Sequence, residues 1–232
     1  MSYRDLFFDL DDTILDFDMA EANALIRIFA EEHLPLTGDN YRTYQQLNQI
    51  LWQKYQDNLI SSEVVFNEGI TKVFASLGLP HPEEDKEKFR TYLDGGHDLI
   101  PHAKETLEVL KPDHRLFAVT NGNPTTQRQR LTDSGLTNLF DGIFISGELG
   151  EQKPNPAFYE AVRMSVSDYN GSEALYIGDS LSADIVGAIR IGSDSAWFNP
   201  RHLPNRTVIT PTYIFSDVRD LLTITGNYGA AD

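Results

Sequence analysis

The sequence predicts an α/β protein, a doubly wound parallel sheet with an inserted all-helical unit, on three observations. Short apolar runs alternate with helical stretches from His97 onward, the pattern of a parallel sheet covered on both faces. One further apolar run, Leu6-Phe7-Phe8, stands alone near the start. The intervening residues, about 18–93, show helical spacing and no strand alternation. The runs also end in polar groups of complementary chemistry. The expected division is residues 1–16 with 97–232 for the sheet domain and 17–96 for a helical cap.

Leu6, Phe7 and Phe8 suit a buried strand. Asp9 and Asp11 follow, two apart, so on an extended backbone they point to the same side. Like charges at the end of a buried strand repel. A divalent cation removes that repulsion, and Mg²⁺ takes one or two carboxylates plus a substrate phosphate. The ordinary alternative is a solvated acidic turn, and this stretch alone does not decide between them.

In the helical insertion, Leu25, Ile26, Ile28 and Phe29 mark a first helix ending before Pro35. Leu47, Ile50, Leu51 and Tyr55 mark a second. Ser61 or Ser62 caps a third, with Val65, Phe66, Ile70, Val73, Phe74 and Leu77 as its apolar set and Gly78 as its stop. Pro82 opens a fourth that runs to Gly95-Gly96, a pair suited to a flexing linker. The hinges are expected near residues 15–18 and 93–97.

Beyond it the reading is a helix at about 102–111, a strand at 115–119, a helix from Pro124 to Leu131 and a strand at 143–145. A helix from Pro156 to Met164, a strand at 174–177 and a helix at 181–191 follow. Strands at 196–198 and 213–215 precede a last helix around 217–224, and the tail from Gly226 to Asp232 frays.

The 232 residues suffice for one large domain or a core with a smaller companion, and a hydrophobic fraction of 41% is ordinary for a globular chain. The absence of cysteine excludes disulfides, thiolate metal sites and cysteine nucleophiles. A formal charge of −16 argues against a nucleic-acid polymer as partner. It leaves room for a small phosphorylated substrate, because a lysine and a metal reverse the sign within one pocket. No run is long and apolar enough for a bilayer, and residues 1–5 show no signal-peptide core, so the expectation is a cytoplasmic protein.

Ligands of doubly wound sheets bind beyond the carboxyl ends of the strands. The first such end carries Asp9-x-Asp11; the second carries Thr120-Asn121-Gly122. The loop after the third carries Lys153-Pro154, and the fourth carries Asp179 and Asp184 in Gly178-Asp179-Ser180-Leu181-Ser182-Ala183-Asp184. Taken singly, each has an ordinary role: Thr120 as a β-former, Asn121-Gly122 as a turn pair, Lys153 as a solvated lysine. Asp179-Ser180 would be a helix cap and Asp184 a surface acid. Four such coincidences, in this order at successive strand ends, are a weaker account than one shared site.

The set DLDDT, Thr120, Lys153-Pro154 and GDSLSAD resembles the haloacid dehalogenase-like hydrolase superfamily, most of whose members are Mg²⁺-dependent phosphatases. The resemblance covers the whole chain, and a helical insertion after the first motif matches one of that superfamily's cap types. Tyr44 to Asn48, Leu51-Trp52, Tyr55-Gln56, Thr120-Asn121-Gly122, Gln127-Arg128 and Arg130-Leu131 further resemble bacterial pyrimidine 5′-nucleotidases acting on non-canonical nucleotides.

The resemblance implies that Asp9 attacks phosphorus to form a phosphoaspartate and that Asp11 protonates the leaving alkoxide, then activates water. It assigns Mg²⁺ to Asp9, the backbone carbonyl of Asp11 and Asp179, with Asp184 orienting Lys153 or a metal-bound water. Thr120 and the Asn121 N–H would hold phosphate oxygens, helped by the N–H groups of Leu10 and Asp11, while Lys153 offsets charge. The cap would close over the site and contact the leaving group. Tyr44, Trp52 and Tyr55 are candidates to stack on a base, although aromatic residues at helical spacing usually pack a cap's own core.

The expected partner is a small phosphorylated metabolite, a pyrimidine nucleoside 5′-monophosphate first and a phosphosugar or phosphoglycolate as the alternative. The expected state is a monomer or small homo-oligomer. The acid at Asp11 ranks carbon–halogen hydrolysis low, because dehalogenase members carry none there. A phosphomutase would need a cap group that retains the product, and nothing in the sequence requires one. A response-regulator receiver would be much shorter, lack the insertion and place its lysine last, whereas Lys153 precedes Asp179. A non-catalytic binding protein on this fold would be expected to have lost one of Asp9, Asp11, Lys153 or Asp179, and all are present.

Overall fold

The computed structural model describes residues 3–57, 59–78 and 83–227. Pro82, the expected start of the fourth helix, and the tail beyond Asn227 lie outside them. The chain divides into two compact units, Met1–Asp16 with His97–Asp232, and Phe17–Gly96.

The second unit is built from α1 (Phe17–Glu31), α2 (Gly38–Gln56), α3 (Ser62–Ser76) and α4 (Glu83–Asp94). Leu25, Ile28 and Phe29 share one face of α1 and are buried with Tyr44, Ile70, Val73, Phe74, Phe89 and Leu93. Ile26 and Ile50, expected among the inward residues, are instead 54% and 53% exposed. Each adjoins a buried residue in sequence, and one helical step turns a side chain about 100° away from that face. Thr37 caps α2 by accepting the Asn40 N–H at 3.2 Å. Ser61 occupies the N-cap of α3 without a side-chain cap bond. Glu21 is buried in this unit, where its carboxylate accepts from the Tyr44 hydroxyl at 3.0 Å and from the Asn48 amide.

The first unit contains β1 (Asp5–Phe8), α5 (Ala103–Leu110), β2 (Arg115–Thr120), α6 (Pro124–Asp133), β3 (Gly142–Ile145) and α7 (Ser146–Leu149). It continues with α8 (Pro156–Ser165), β4 (Ala174–Gly178), a π-helical turn (Leu181–Ile185), α9 (Val186–Arg190), β5 (Asp194–Phe198), β6 (Tyr213–Phe215) and α10 (Asp220–Thr225). The strands form one parallel sheet in the order β3-β2-β1-β4-β5-β6. The chain builds β2 and β3 on one side of β1, then crosses to build β4, β5 and β6 on the other. That reversal makes the junction of β1 and β4 a topological switch point.

β1 is buried along its whole length. Phe7 lies between its register partners Phe117 and Tyr176, stacked on both with ring centroids 4.9 and 4.4 Å away. It joins the α8 residues Phe158, Tyr159 and Val162 on one face. Leu6 and Phe8 point to the other face, with Leu107, Leu110, Leu131 and Leu221. Asp5, also buried, is paired at 2.6 and 2.7 Å by the Arg115 guanidinium at the end of the strand remote from Asp9. That paired acid is structural.

The strands and most helices fall where the alternation places them. Asn123 and Asn155 cap α6 and α8 just ahead of Pro124 and Pro156. The short α7 lacks a sequence signal of its own, and α10 starts at Asp220 rather than near 217. There the side chains of Asp217 and Asp220 accept backbone N–H groups and hold a turn instead. Among the described residues no helix is long and apolar enough to cross a membrane.

Phe7 ties β1 to both of its neighbouring strands on one face of the sheet, so Phe7→Ala should destabilise the sheet unit by about 3–5 kcal/mol. Chemical denaturation would register this as a lower transition midpoint; an unchanged midpoint would show that the stacked rings contribute little.

Candidate active site

The Asp9 N–H donates to the Ile177 carbonyl at 2.8 Å, carrying the ladder one residue past β1. The chain then turns sharply. The Leu10 carbonyl accepts from Ile14 and Leu15 at 2.9 and 2.8 Å, and Asp12 adopts φ of +57°. Asp9 is thereby fixed at the sheet edge, at the switch point.

Lys153 reaches this edge from the loop after α7. Asn121, just beyond β2, holds that loop through a reciprocal pair: its amide nitrogen donates to the Lys153 carbonyl at 2.8 Å, and its oxygen accepts the Lys153 N–H at 2.8 Å. The buried ammonium donates to Asp9 Oδ1 at 2.5 Å, Asp184 Oδ1 at 2.7 Å and the Val119 carbonyl at 2.9 Å. All three of its hydrogens are engaged.

Asp184 sits in the π-helical turn after β4, and its second oxygen accepts the Ser180 N–H at 3.1 Å. Its carboxylate lies so close to the strand that a Cβ at position 178 would stand 2.3 Å from Asp184 Cγ, so only glycine fits there. Asp179 follows Gly178, and its carbonyl accepts the Trp197 indole N–H at 2.7 Å. One oxygen from each of Asp9, Asp179 and Asp184 lies within 4.8 Å of the others.

The electrostatics follow from that crowding. Burial pushes Asp9 up to about 8, with Lys153 pulling down and Asp184 and Asp11 adding to the rise. Loss of surrounding water, with Asp12, Asp9 and Asp184 nearby, pushes Asp179 well above the usual carboxylate range. Burial works against the Lys153 ammonium, but Asp184 and Asp9 outweigh it and hold the lysine protonated. Three converging carboxylates facing one ammonium leave an excess of negative charge. A hard dication with oxygen ligands fits such a donor set.

Asp11 stands beside this cluster. One of its oxygens accepts from the Arg130 guanidinium and the other from Gln127 Nε2 at 2.8 Å. Gln127 Nε2 also donates to the Thr120 hydroxyl at 2.9 Å. The Thr13 hydroxyl faces Asp9 Oδ2 at 3.4 Å. The edge of β1, β2 and β4 thus brings together Asp9, Asp11, Thr120, Asn121, Lys153, Asp179 and Asp184. Gln127 and Arg130 had no site role in the sequence reading, although they are three apart and so share a face of α6.

The aromatic candidates belong to the helical unit. Tyr44 is only 2% exposed in the core of the helical unit, its ring 5.9 Å from that of Phe89 and its hydroxyl on Glu21. A role for Tyr44 as a stacking surface is therefore corrected: its faces are covered by its own unit. Tyr55 is buried with Leu51 and Val65, and the half-buried Trp52 meets Phe17 and Tyr55 edge-on.

The profile of haloacid dehalogenase-like hydrolases matches residues 4–192. The putative HAD-hydrolase YfnB of Bacillus subtilis is 38% identical, with 94% of each chain aligned. Its magnesium-bound crystal structure superposes with a TM-score of 0.91 at 37% identity, covering 97% of this chain and 99% of that one. The pyrimidine 5′-nucleotidase PynA of Streptococcus pneumoniae is 36% identical over 96% of this chain and 94% of its own. The pyrimidine 5′-nucleotidase YjjG of Escherichia coli is 28% identical over 95% and 97%. The chain belongs to the haloacid dehalogenase-like hydrolase family.

Proposed function

We propose that the protein is a Mg²⁺-dependent phosphatase that cleaves small phosphomonoesters through a phosphoaspartate on Asp9. The observation that carries this reading is the carboxylate of Asp9, held against Lys153 within the acidic cluster and two residues from a second carboxylate, Asp11. A carboxylate nucleophile with an acid–base partner splits one difficult displacement into two easier ones. In the first, an Asp9 oxygen bonds to phosphorus as the ester P–O bond breaks, and the departing alkoxide takes a proton from Asp11. In the second, water gives a proton to Asp11 and attacks phosphorus, releasing inorganic phosphate and restoring Asp9.

Lys153 stays protonated through both steps and offsets the charge of the transferring phosphoryl group. Thr120 and the backbone N–H of Asn121 hold phosphate oxygens. Mg²⁺ would be held by Asp9, Asp179 and the carbonyl of Asp11, with Asp184 outside that set on Lys153, and when bound it supplies charge neutralisation for the phosphate. Similarity to two proteins named pyrimidine 5′-nucleotidases along nearly the whole chain favours pyrimidine nucleoside 5′-monophosphates as substrates.

The direct test is phosphate release from nucleoside 5′-monophosphates, phosphosugars and phosphoglycolate, each with Mg²⁺ and with chelator. Metal-dependent release concentrated on pyrimidine nucleotides is the expected outcome. Release mainly from phosphosugars would keep the chemistry and refute the substrate; no release at all would refute both.

Asp9→Asn should lower turnover about a thousandfold or more with the fold retained, as the loss of a nucleophile does. Near-normal turnover would remove Asp9 from that role. Asp179→Asn should raise the Mg²⁺ concentration for half-maximal rate by about tenfold or more, with a matching loss of Mg²⁺ affinity in calorimetry. An unchanged metal requirement would exclude Asp179 as a ligand.

A further inference from the structure

We infer that Gln127 and Arg130 are positioning residues that hold Asp11 and Thr120 as a single hydrogen-bonded unit, an inference that rests on the phosphatase reading above. Both side chains are buried, at 1% and 2% exposure. A guanidinium carries only donors, so the Gln127 atom facing Arg130 Nη1 at 3.0 Å is its amide oxygen. That contact orients the amide. Its nitrogen must then face Asp11 Oδ2 at 2.8 Å and the Thr120 hydroxyl oxygen at 2.9 Å, one hydrogen for each.

Two consequences follow. Gln127 Nε2 cannot accept, so the Thr120 hydroxyl accepts there and directs its own hydrogen elsewhere, ready to donate to a phosphate oxygen. Asp11 is held at both oxygens, one by Gln127 and the other by Arg130, which fixes the plane of its carboxyl group. The side chain of Asp11 is 30% exposed. Without those donors it would sample several rotamers, and a misplacement of about 1 Å at a reacting group costs about a hundredfold in rate.

The loop after β2 is shaped around this arrangement. A Cβ at position 122 would stand 2.3 Å from Gln127 Cγ, so Gly122 leaves the space that the glutamine fills. Asn123 caps α6 at Thr125 and Thr126, and the Gln127 N–H donates to the Asn123 carbonyl at 2.9 Å. Cap, glycine and guanidinium therefore converge on one side chain.

The test compares kcat/KM for two esters at saturating Mg²⁺: p-nitrophenyl phosphate and whichever alkyl phosphomonoester of the panel the wild type cleaves fastest. This parameter reports formation of the phosphoaspartate. An alkoxide needs a proton from Asp11 to leave, whereas p-nitrophenolate departs without one. Gln127→Leu should lower kcat/KM on the alkyl ester about a hundredfold and on the aryl ester less than about tenfold. Gly122→Ala, which displaces Gln127 without removing it, should produce the same split and keeps the test open if the leucine variant does not fold. Equal losses on both esters, or no loss on either, in an enzyme whose wild type is active would overturn the positioning role and leave the phosphatase reading standing. A wild type that releases phosphate from neither ester would overturn both.

Discussion

A lysine ammonium buried at the edge of the sheet sets the terms for everything around it. Lys153 Nζ is removed from water and holds three acceptors, two of them carboxylates. Neither charge is stable there alone, since an unpaired buried ion costs several kcal/mol. The requirement propagates outward. Asp184 must approach β4 closely, which demands glycine at 178. The loop bearing Lys153 must stay in place, which Asn121 enforces through two backbone hydrogen bonds. Asp9 must sit where the strand ends, which the Ile177 carbonyl ensures.

The apolar part of β1 provides the rigidity that this arrangement needs. Phe7 is clamped between Phe117 and Tyr176, and Leu6 and Phe8 are locked into the opposite face. A strand packed so closely has no freedom to slip, since a shift of one residue would turn Phe7 toward the wrong face. The register that buries the three apolar residues is also the register that presents Asp9 beyond them. Two acids bracket the strand, and their surroundings separate them. Asp5 is neutralised by Arg115 at one end, while Asp9 at the other keeps one lysine partner for a group of three carboxylates.

What the sequence disclosed follows from the range of the interactions involved. Strand and helix alternation is local, and the positions of Asp9, Thr120 and Asp179 at strand ends, and of Lys153 in the connection between β3 and α8, follow from it. Asp5 gave no sign of its partner, because Arg115 is brought to it only by the parallel pairing of β1 and β2. Gln127 and Arg130 were visible as residues but not as neighbours of Asp11, since the packing of α6 beside the end of β1 is a tertiary fact. The aromatic residues of α2 show the opposite limit. Tyr44 has the composition of a base-stacking residue and the surroundings of a core residue, and spacing alone does not separate the two. Ile26 and Ile50 are apolar and exposed, a reminder that hydrophobicity assigns a residue to a face only together with its phase.

The charge distribution reconciles a formal net charge of −16 with a phosphate ligand. A long-range field of that sign repels anions, yet salt screens it over about 10 Å, and binding is governed by the groups at close quarters. Asp11 is already matched by Arg130, and Lys153 matches one member of the acidic cluster. The remaining carboxylate charge is what a dication would cancel, so a phosphate would meet a site close to neutrality, with the Thr120 hydroxyl as a donor and the Lys153 charge nearby. On this reading the metal is required for more than transition-state charge. Without it, the same carboxylates that hold Lys153 in place would exclude the substrate.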